Sequence, residues 1–333
     1  MVEGTNRTGA ARQVELLHRI DPLAGLTHYV STDIARIQDA TFLDGRECFW
    51  DRVQTRPIVN HAGRAQGMRF LFHMGFCGST LLARLLGTEG TLVMREPQCL
   101  TDIAATRTRI LAGQAEQDLA GYTSFALNAL GAVAPPEEAL LIKPSNWANS
   151  LIEPLVAACH DPAALYLTTE PRAFLRAAFR GGRDRLEFCI RLAVELAAAV
   201  TGANDRLRQA ISTGPDPLDR AARIVTLLWA MQRELFARAM ACAGQPASCL
   251  MDYAELAEDP QAAAIRAAKL LGLPAPDFAS SRVQALLGRH SKDPQSAYDP
   301  ASRSANDAEL ERHHAARFYT ALEWLDCQTA FGA

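Results

Sequence analysis

The sequence predicts an α/β fold with a mainly parallel sheet flanked by helices. Short apolar runs alternate with longer stretches of helical period, which is the pattern of strands laid side by side with helical crossovers. The first of those runs passes through a glycine-containing loop directly into an apolar helix. With 333 residues, 49% of them hydrophobic and 21% charged, the chain can bury a full core, which argues against wholesale disorder.

Taken in order, residues 1–66 read as a helical or irregular extension packed on the core. Val14 to Ile20 suggests a short helix, and Thr41 to Val53 carries aromatics without a clear period. Met68–Met74 (MRFLFHM) is the first clear strand, GFCGST a loop, and LLARLLG a helix that Gly87 is placed to end. Further strands are expected at Thr91–Met94, at Ala139–Ile142 before Lys143-Pro144, at Ala163–Thr168 and at Ser248–Met251. Two long helices keep a helical period, one from Leu186 through Ile190, Ala193, Val194 and Ala197. The other runs through Ile224, Leu227, Leu228, Met231 and Leu235, with TGPDP as a turn between them. Asp259-Pro260 opens a helix through Leu271 that Gly272 and Pro274 close. Ser280–Asn306 is polar and irregular, and a last helix spans roughly Asp307–Leu325. No repeat or linker interrupts residues 67–333. They read as one domain with a helical insertion at about 184–243 and a C-terminal loop plus helix.

Several function classes are disfavoured by composition. A net charge of −3 argues against a dedicated nucleic-acid binder. No apolar run approaches a membrane span, and the N-terminal stretch lacks the apolar core of a signal peptide. The eight cysteines are scattered without a CxxC pair, which reads as reduced thiols and neither a disulfide framework nor a zinc site. A cytoplasmic protein without metal, nucleic-acid or membrane partner is expected. The sequence carries no mark of oligomeric state.

Gly75-Phe76-Cys77-Gly78-Ser79-Thr80 stands where a phosphate-binding loop belongs, between a strand and a helix N-terminus. There backbone N–H groups and the helix dipole face an anion. Gly78 allows close backbone approach, and Ser79 and Thr80 offer hydroxyls. The nucleotide-triphosphatase pattern GxxxxGK[ST] is not met, because His73 stands at its first glycine and Ser79 at its lysine. By itself the loop is equally an ordinary strand–turn–helix link with Ser79 as a cap.

Five stretches, in order, resemble the sulfotransferase superfamily. FLFHMGFCGSTLLARLL is similar to its first strand, its 5′-phosphosulfate loop of the type GxPRSGTTLL, and its helix. MREP at Met94–Pro97 resembles the segment after the second strand, and LIKPSN at Leu141–Asn146 the Lys-Ser/Thr-Pro segment of several members. LYLTTEPRAFLRAAF at Leu165–Phe179 is similar to the strand, Arg-Asp-Pro-Arg turn and helix that hold the 3′-phosphate. CLMDYAELAEDPQAAAIRAAKLLGLP at Cys249–Pro274 resembles the late Tyr-Glu-Asp-Leu…Asp-Pro…Leu-Gly-Leu-Pro stretch. The resemblance implies a P-loop NTPase-like three-layer fold and sulfuryl transfer from 3′-phosphoadenosine-5′-phosphosulfate (PAPS) to a hydroxyl or amine, without a metal. Three positions depart from the pattern. Phe76 stands at the loop Lys/Arg, Thr169 at the 3′-phosphate arginine, and Ala177 at the serine that follows it.

Other residues are candidates to supply the missing charge. Lys143, at the end of a predicted strand, aligns with the family lysine of its segment and replaces the loop cation in this reading. Taken alone it is a solvated lysine at a strand end. Arg172, Arg176 and Arg180 share one helix face, and Arg172 matches the second arginine of the family turn. Tyr253 aligns with the tyrosine of the late motif, and Ser291 and Lys292 lie where family members bring a loop over the nucleotide. Glu96 resembles the catalytic glutamate of some protein and carbohydrate sulfotransferases, with Arg95 beside it to hold it ionised or to bind an acidic acceptor. His73 is the rival base, and Cys77 at the helix N-terminus a weaker nucleophile candidate. His313-His314 lacks a metal-ligand pattern. Two other readings keep the same fold: a kinase-like phosphotransferase, and a non-catalytic nucleotide-sensing or partner-binding protein.

Overall fold

The computed structural model describes residues 12–59, 63–87, 90–287, 289–290, 293–297 and 300–328, without the side chains of 289–304. The chain opens with β1 (Gln13–Asp21) and β2 (Leu26–Asp33), the short helix α1 (Ile34–Asp39) and β3 (Arg52–Pro57), followed by the two-residue β4 (Ala65–Gln66). Next come β5 (Arg69–His73), α2 (Ser79–Leu86), β6 (Thr91–Arg95), α3 (Gln98–Leu111), α4 (Leu119–Gly131) and β7 (Ala139–Lys143). After a 3-10 turn at Asn146–Leu151 the chain forms α5 (Ile152–Ala157), β8 (Cys159–His160) and β9 (Ala163–Thr168). Four helices follow: α6 (Pro171–Arg180), α7 (Gly182–Ala197), α8 (Ala203–Thr213) and α9 (Pro217–Cys242). The last third holds β10 (Leu250–Asp252), α10 (Tyr253–Glu258), α11 (Pro260–Leu271), α12 (Ser281–Leu287), the strand pair β11 (Arg289–His290) and β12 (Asp293–Ala297), and α13 (Pro300–Cys327).

The central sheet has five strands in the order β10-β9-β5-β7-β6, all parallel. Its strands are apolar on both faces because helices cover both. Phe70 and Phe72, two residues apart on β5, stack at 5.2 Å, and Phe72 meets Tyr166 of β9 at 5.4 Å. Tyr166 in turn packs on Phe236 of α9, so this face looks toward the long helix. On β9 the alternate residues face the other way, where α11 packs together with α2 and α12. The result is the three-layer α/β arrangement expected from the alternation of strands and helices. Because every strand of the sheet is parallel, all five C-terminal ends lie along one edge.

Residues 13–57 differ from the expected helical or irregular extension. They form a three-stranded antiparallel sheet, β1-β2-β3, and the stretch read as a short helix, Val14–Ile20, lies in β1. The reason is a register shift between Leu17 and Arg19, which leaves Leu16, Leu17, His18 and Ile20 all buried. That spacing imitates a helical stripe, although a bulged strand produces it here. Two other stretches hold elements unforeseen in the sequence. Helix α8 precedes the TGPDP turn, and the stretch expected to be irregular from Ser280 contains α12, the β11–β12 pair and the first turns of α13. The later helix caps are as the sequence suggests. Asp259 accepts from the Ala262 amide ahead of Pro260, and Gly272 closes α11 at φ 62°.

All eight cysteines are unpaired thiols, and Cys77, Cys99, Cys159, Cys189 and Cys249 are buried. Burial pushes the Cys159 and Cys189 thiols up to about 12 and raises those of Cys77 and Cys99 as well. A maleimide applied to the native protein is therefore expected to modify Cys48, Cys242 and Cys327, which are exposed, and to spare the others until denaturant is added. Peptide mass mapping checks this, and native labelling of Cys77 contradicts it. Among the described residues no helix is long and apolar enough to cross a membrane.

Candidate active site

The ends of the parallel strands bring Gly75–Thr80, Glu96, Lys143 and Tyr253 to one edge, the usual location of ligands in open α/β sheets. After β5 the backbone turns through Gly75 (φ 88°), Phe76 (φ 57°) and Gly78 (φ 73°) before α2 begins at Ser79. Both glycines are required for space as well as for φ. A Cβ on Gly75 would lie 2.9 Å from Asn146 Nδ2, and one on Gly78 would lie 2.8 Å from Leu256 and 2.9 Å from Tyr253. Tyr253, from the end of β10, thus packs directly on the loop.

Not every loop amide is free for an anion. Gly75 N–H donates to His73 Nδ1 at 3.1 Å, whereas the amides of Phe76, Cys77 and Gly78 have no hydrogen-bond partner among the described residues. Ser79 and Thr80 are buried, and their hydroxyls likewise make no hydrogen bond among the described residues. The Cys77 side chain is wholly buried and its thiol donates to Leu167 O at 3.6 Å. Its pKa is raised by desolvation, which more than offsets the attraction of the Lys143 charge. Cys77 can contribute its backbone to the loop but does not present a thiolate.

Glu96 and Lys143 end two neighbouring strands, β6 and β7, and meet as an ion pair. Lys143 Nζ lies 2.7 Å from Glu96 Oε1, and Glu96 N–H donates to Lys143 O at 2.7 Å. Lys143 is 0% exposed, so its ammonium is committed to Glu96 and is not presented to the loop as a free cation. Glu96 holds a left-handed φ of 57°, a conformation that costs a non-glycine residue about 1–2 kcal/mol. Its side chain is only 12% exposed. The second carboxylate oxygen meets Arg46, which bonds Glu96 Oε2 at 3.3 Å and lies over the Phe42 ring at 4.0 Å. Phe42 also faces Lys143 Nζ at 5.9 Å.

Arg95 does not hold Glu96. Successive residues of a strand point to opposite faces, and the Arg95 guanidinium turns to the Ala40 carbonyl at 3.0 Å. Burial brings its pKa down to about 10. The cation beside Glu96 is Arg46 instead, from the segment between α1 and β3. Sequence reasoning missed it because it lies far along the chain from any recognised motif. His73 is fixed by two hydrogen bonds. Its Nδ1 accepts from Gly75, which leaves Nε2–H to donate to Pro144 O at 3.1 Å. This assigns the neutral Nε2–H tautomer and a role in shaping the loop.

A cleft of about 650 Å³ opens beside the loop, lined by Phe76, Thr169, Ala177 and Tyr253 among others. Arg176 and Arg180 of α6 line it, as do Asp307 and Glu311 of α13. Arg172 pairs bidentately with Glu311 at 3.0 and 2.6 Å and is not among the lining residues. Phe76, which stands where a loop cation was expected, packs against Phe174 at 5.5 Å and lies under the Arg185 guanidinium at 5.2 Å. Ser291 and Lys292 lie outside the described residues. His314 packs at a tilt against Phe179, with ring centroids 5.1 Å apart, and contacts Arg317. Among the described residues no group of three or more His, Cys, Asp or Glu is placed to hold a metal ion.

No protein-family model matches the sequence, and no characterised protein matches it. Among solved structures the chain is similar to the sulfotransferase domain of the curacin biosynthetic pathway, at 13% identity and a TM-score of 0.39, covering 76% of this chain and 91% of that one. It is similar to the sulfotransferase of Alicyclobacillus acidocaldarius at 15% identity and a TM-score of 0.38, over 78% of this chain and 94% of that one. It is also similar to the sulfotransferase domain of the Synechococcus PCC 7002 olefin synthase, at 14% identity and a TM-score of 0.35, over 77% and 97% of the two chains.

Proposed function

We propose that the chain transfers a sulfuryl group from PAPS to a hydroxyl, or less readily an amine, of a small-molecule, carbohydrate or peptide acceptor. The observation that carries this reading is the convergence of three features on one sheet edge. These are the glycine loop at 75–80, the cleft of about 650 Å³ that it borders with Tyr253 on the wall, and the Glu96 carboxylate, which follows the outer strand β6 and does not line that cleft. They occur along the chain in the order of the sulfotransferase motifs. Free thiols throughout the chain fit a reducing compartment, and we place the protein in the cytoplasm.

In this reading the loop amides and the Ser79 and Thr80 hydroxyls hold the 5′-phosphate end of the donor. Glu96 takes the acceptor proton as the acceptor oxygen bonds to sulfur, and the bond from sulfur to the 5′-phosphate oxygen breaks in line. Lys143 acts through Glu96: its ammonium holds the carboxylate in place while the proton moves. Tyr253 and the arginine face of α6 border the rest of the nucleotide.

Adenosine 3′,5′-bisphosphate, the product of such a transfer, is expected to raise the melting temperature more than ADP or ATP at equal concentration. At a hundred times its dissociation constant a ligand adds about 2.7 kcal/mol to the folded state. Stabilisation led by ATP would replace this reading with the kinase-like phosphotransferase. Binding of the bisphosphate without turnover of any acceptor would favour a nucleotide-sensing protein.

A further inference from the structure

The arginines on α6 already hold anions, and those anions belong to the chain itself. Arg172, Arg176 and Arg180 recur every four residues along one face of α6, and Asp307 and Glu311 have the same spacing on α13. Glu311 accepts two hydrogen bonds from Arg172, and Asp307 accepts from Arg180 at 2.8 Å. Three guanidinium groups therefore share two carboxylates. Arg176 is the one left short. Its Nε is buried without a hydrogen-bond partner among the described residues and stands 3.7 Å from the Glu311 oxygen that Arg172 already uses. Arg176, Arg180, Asp307 and Glu311 all line the cleft that reaches Phe76 of the glycine loop.

Behind this front, α13 is anchored separately. Arg317 pairs with Asp216 at 2.8 Å and with Asp219 at 2.6 Å, and Phe318 is buried against Phe179. The front turns of α13 can therefore change partners while the helix stays attached through its rear half.

We propose that Asp307 and Glu311 are internal stand-ins for a phosphomonoester, and that by pairing with the α6 arginines they occupy this end of the cleft. A phosphate dianion carries as much charge as the two carboxylates together and can accept from Arg176 and Arg180, the two arginines that line the cleft. Its arrival exchanges the partners and releases residues 305–311 of α13 from α6. The apparent affinity for the ligand is reduced by the fraction of chains in which the carboxylates hold the arginines. This inference rests on the nucleotide reading above and adds a competitor within the same site.

Calorimetric titration of the wild type, Glu311→Gln and Asp307→Asn with adenosine 3′,5′-bisphosphate and with adenosine 5′-monophosphate tests it. At least one variant is expected to bind the bisphosphate roughly tenfold more tightly than the wild type does. Its affinity for the monophosphate, which lacks the 3′-phosphate, should hardly change. In the wild type, amide hydrogen exchange over 305–311 should speed up when the bisphosphate is added, a readout that needs no variant. Unchanged or weaker bisphosphate binding in both variants overturns the partner exchange while leaving the nucleotide reading intact. Equal tightening toward both nucleotides, or slower hydrogen exchange over 305–311, overturns it in the same way. If no form of the protein binds either nucleotide, the nucleotide reading falls, and this inference falls with it.

Discussion

Replacing Lys143 with Met should destabilise the fold by about 3 kcal/mol, the lower end of the range for breaking a buried ion pair. Lys143 is wholly enclosed and its ammonium sits 2.7 Å from Glu96 Oε1. Removing it leaves a carboxylate that is only 12% exposed with one cation, Arg46, at 3.3 Å. Arg46 is the reason for expecting the lower end, since Glu96 would keep that neighbour. The companion variant Lys143→Met with Glu96→Gln should regain most of the loss, because it removes both charges together. Urea unfolding of the two variants and the wild type measures the difference. A cost below about 1 kcal/mol, the range of exposed pairs, would mean that Lys143 is solvated in the folded protein and that the enclosed pair is not what holds Glu96.

Glu96→Gln should lower transfer by about 10²–10⁴ while nucleotide affinity stays at the wild-type level. Glutamine keeps the shape of the side chain and an oxygen that can accept from Lys143, yet it cannot take the acceptor proton. The experiment needs a productive acceptor, found by screening hydroxylated compounds with labelled donor. Turnover at the wild-type rate would rule out Glu96 as the base. His73 would then be a poor replacement as the structure stands. Its Nδ1 is occupied by the Gly75 amide and its Nε2–H by the Pro144 carbonyl, so protonating Nδ1 would break the bond that shapes the loop.

Folding changed what several residues can do. Four of the five strands of the central sheet, β5, β6, β7 and β9, were legible because each is a compact, largely apolar run buried on both faces, and α11 because Asp259-Pro260 and Gly272 mark its ends through local backbone chemistry. The glycine loop was legible for the same reason, as its φ values demand particular residues at particular positions. β1 was misread because a bulge is decided by pairing with β2, a partner the local pattern does not contain. Arg46 escaped notice because it reaches Glu96 across a long stretch of intervening chain.

Residue order alone was enough for the α/β class, the loop after β5, and the presence of Glu96, Lys143 and Tyr253 at the ends of β6, β7 and β10. Local propensity and side-chain periodicity are properties of neighbouring residues, so a single pass along the chain can recover them. What those side chains do to one another emerged only with the packing of distant elements. The strand order sets β6 beside β7, which turns Lys143 from an apparent free cation into the enclosed partner of Glu96. The docking of α13 on α6 supplies the shared arginine face with two carboxylates, Asp307 and Glu311, that lie more than a hundred residues along the chain. Charge pairing between distant elements depends on which surfaces meet. Hydrophobic burial drives that meeting without regard to sequence separation, so the pairs appear only once the chain has folded.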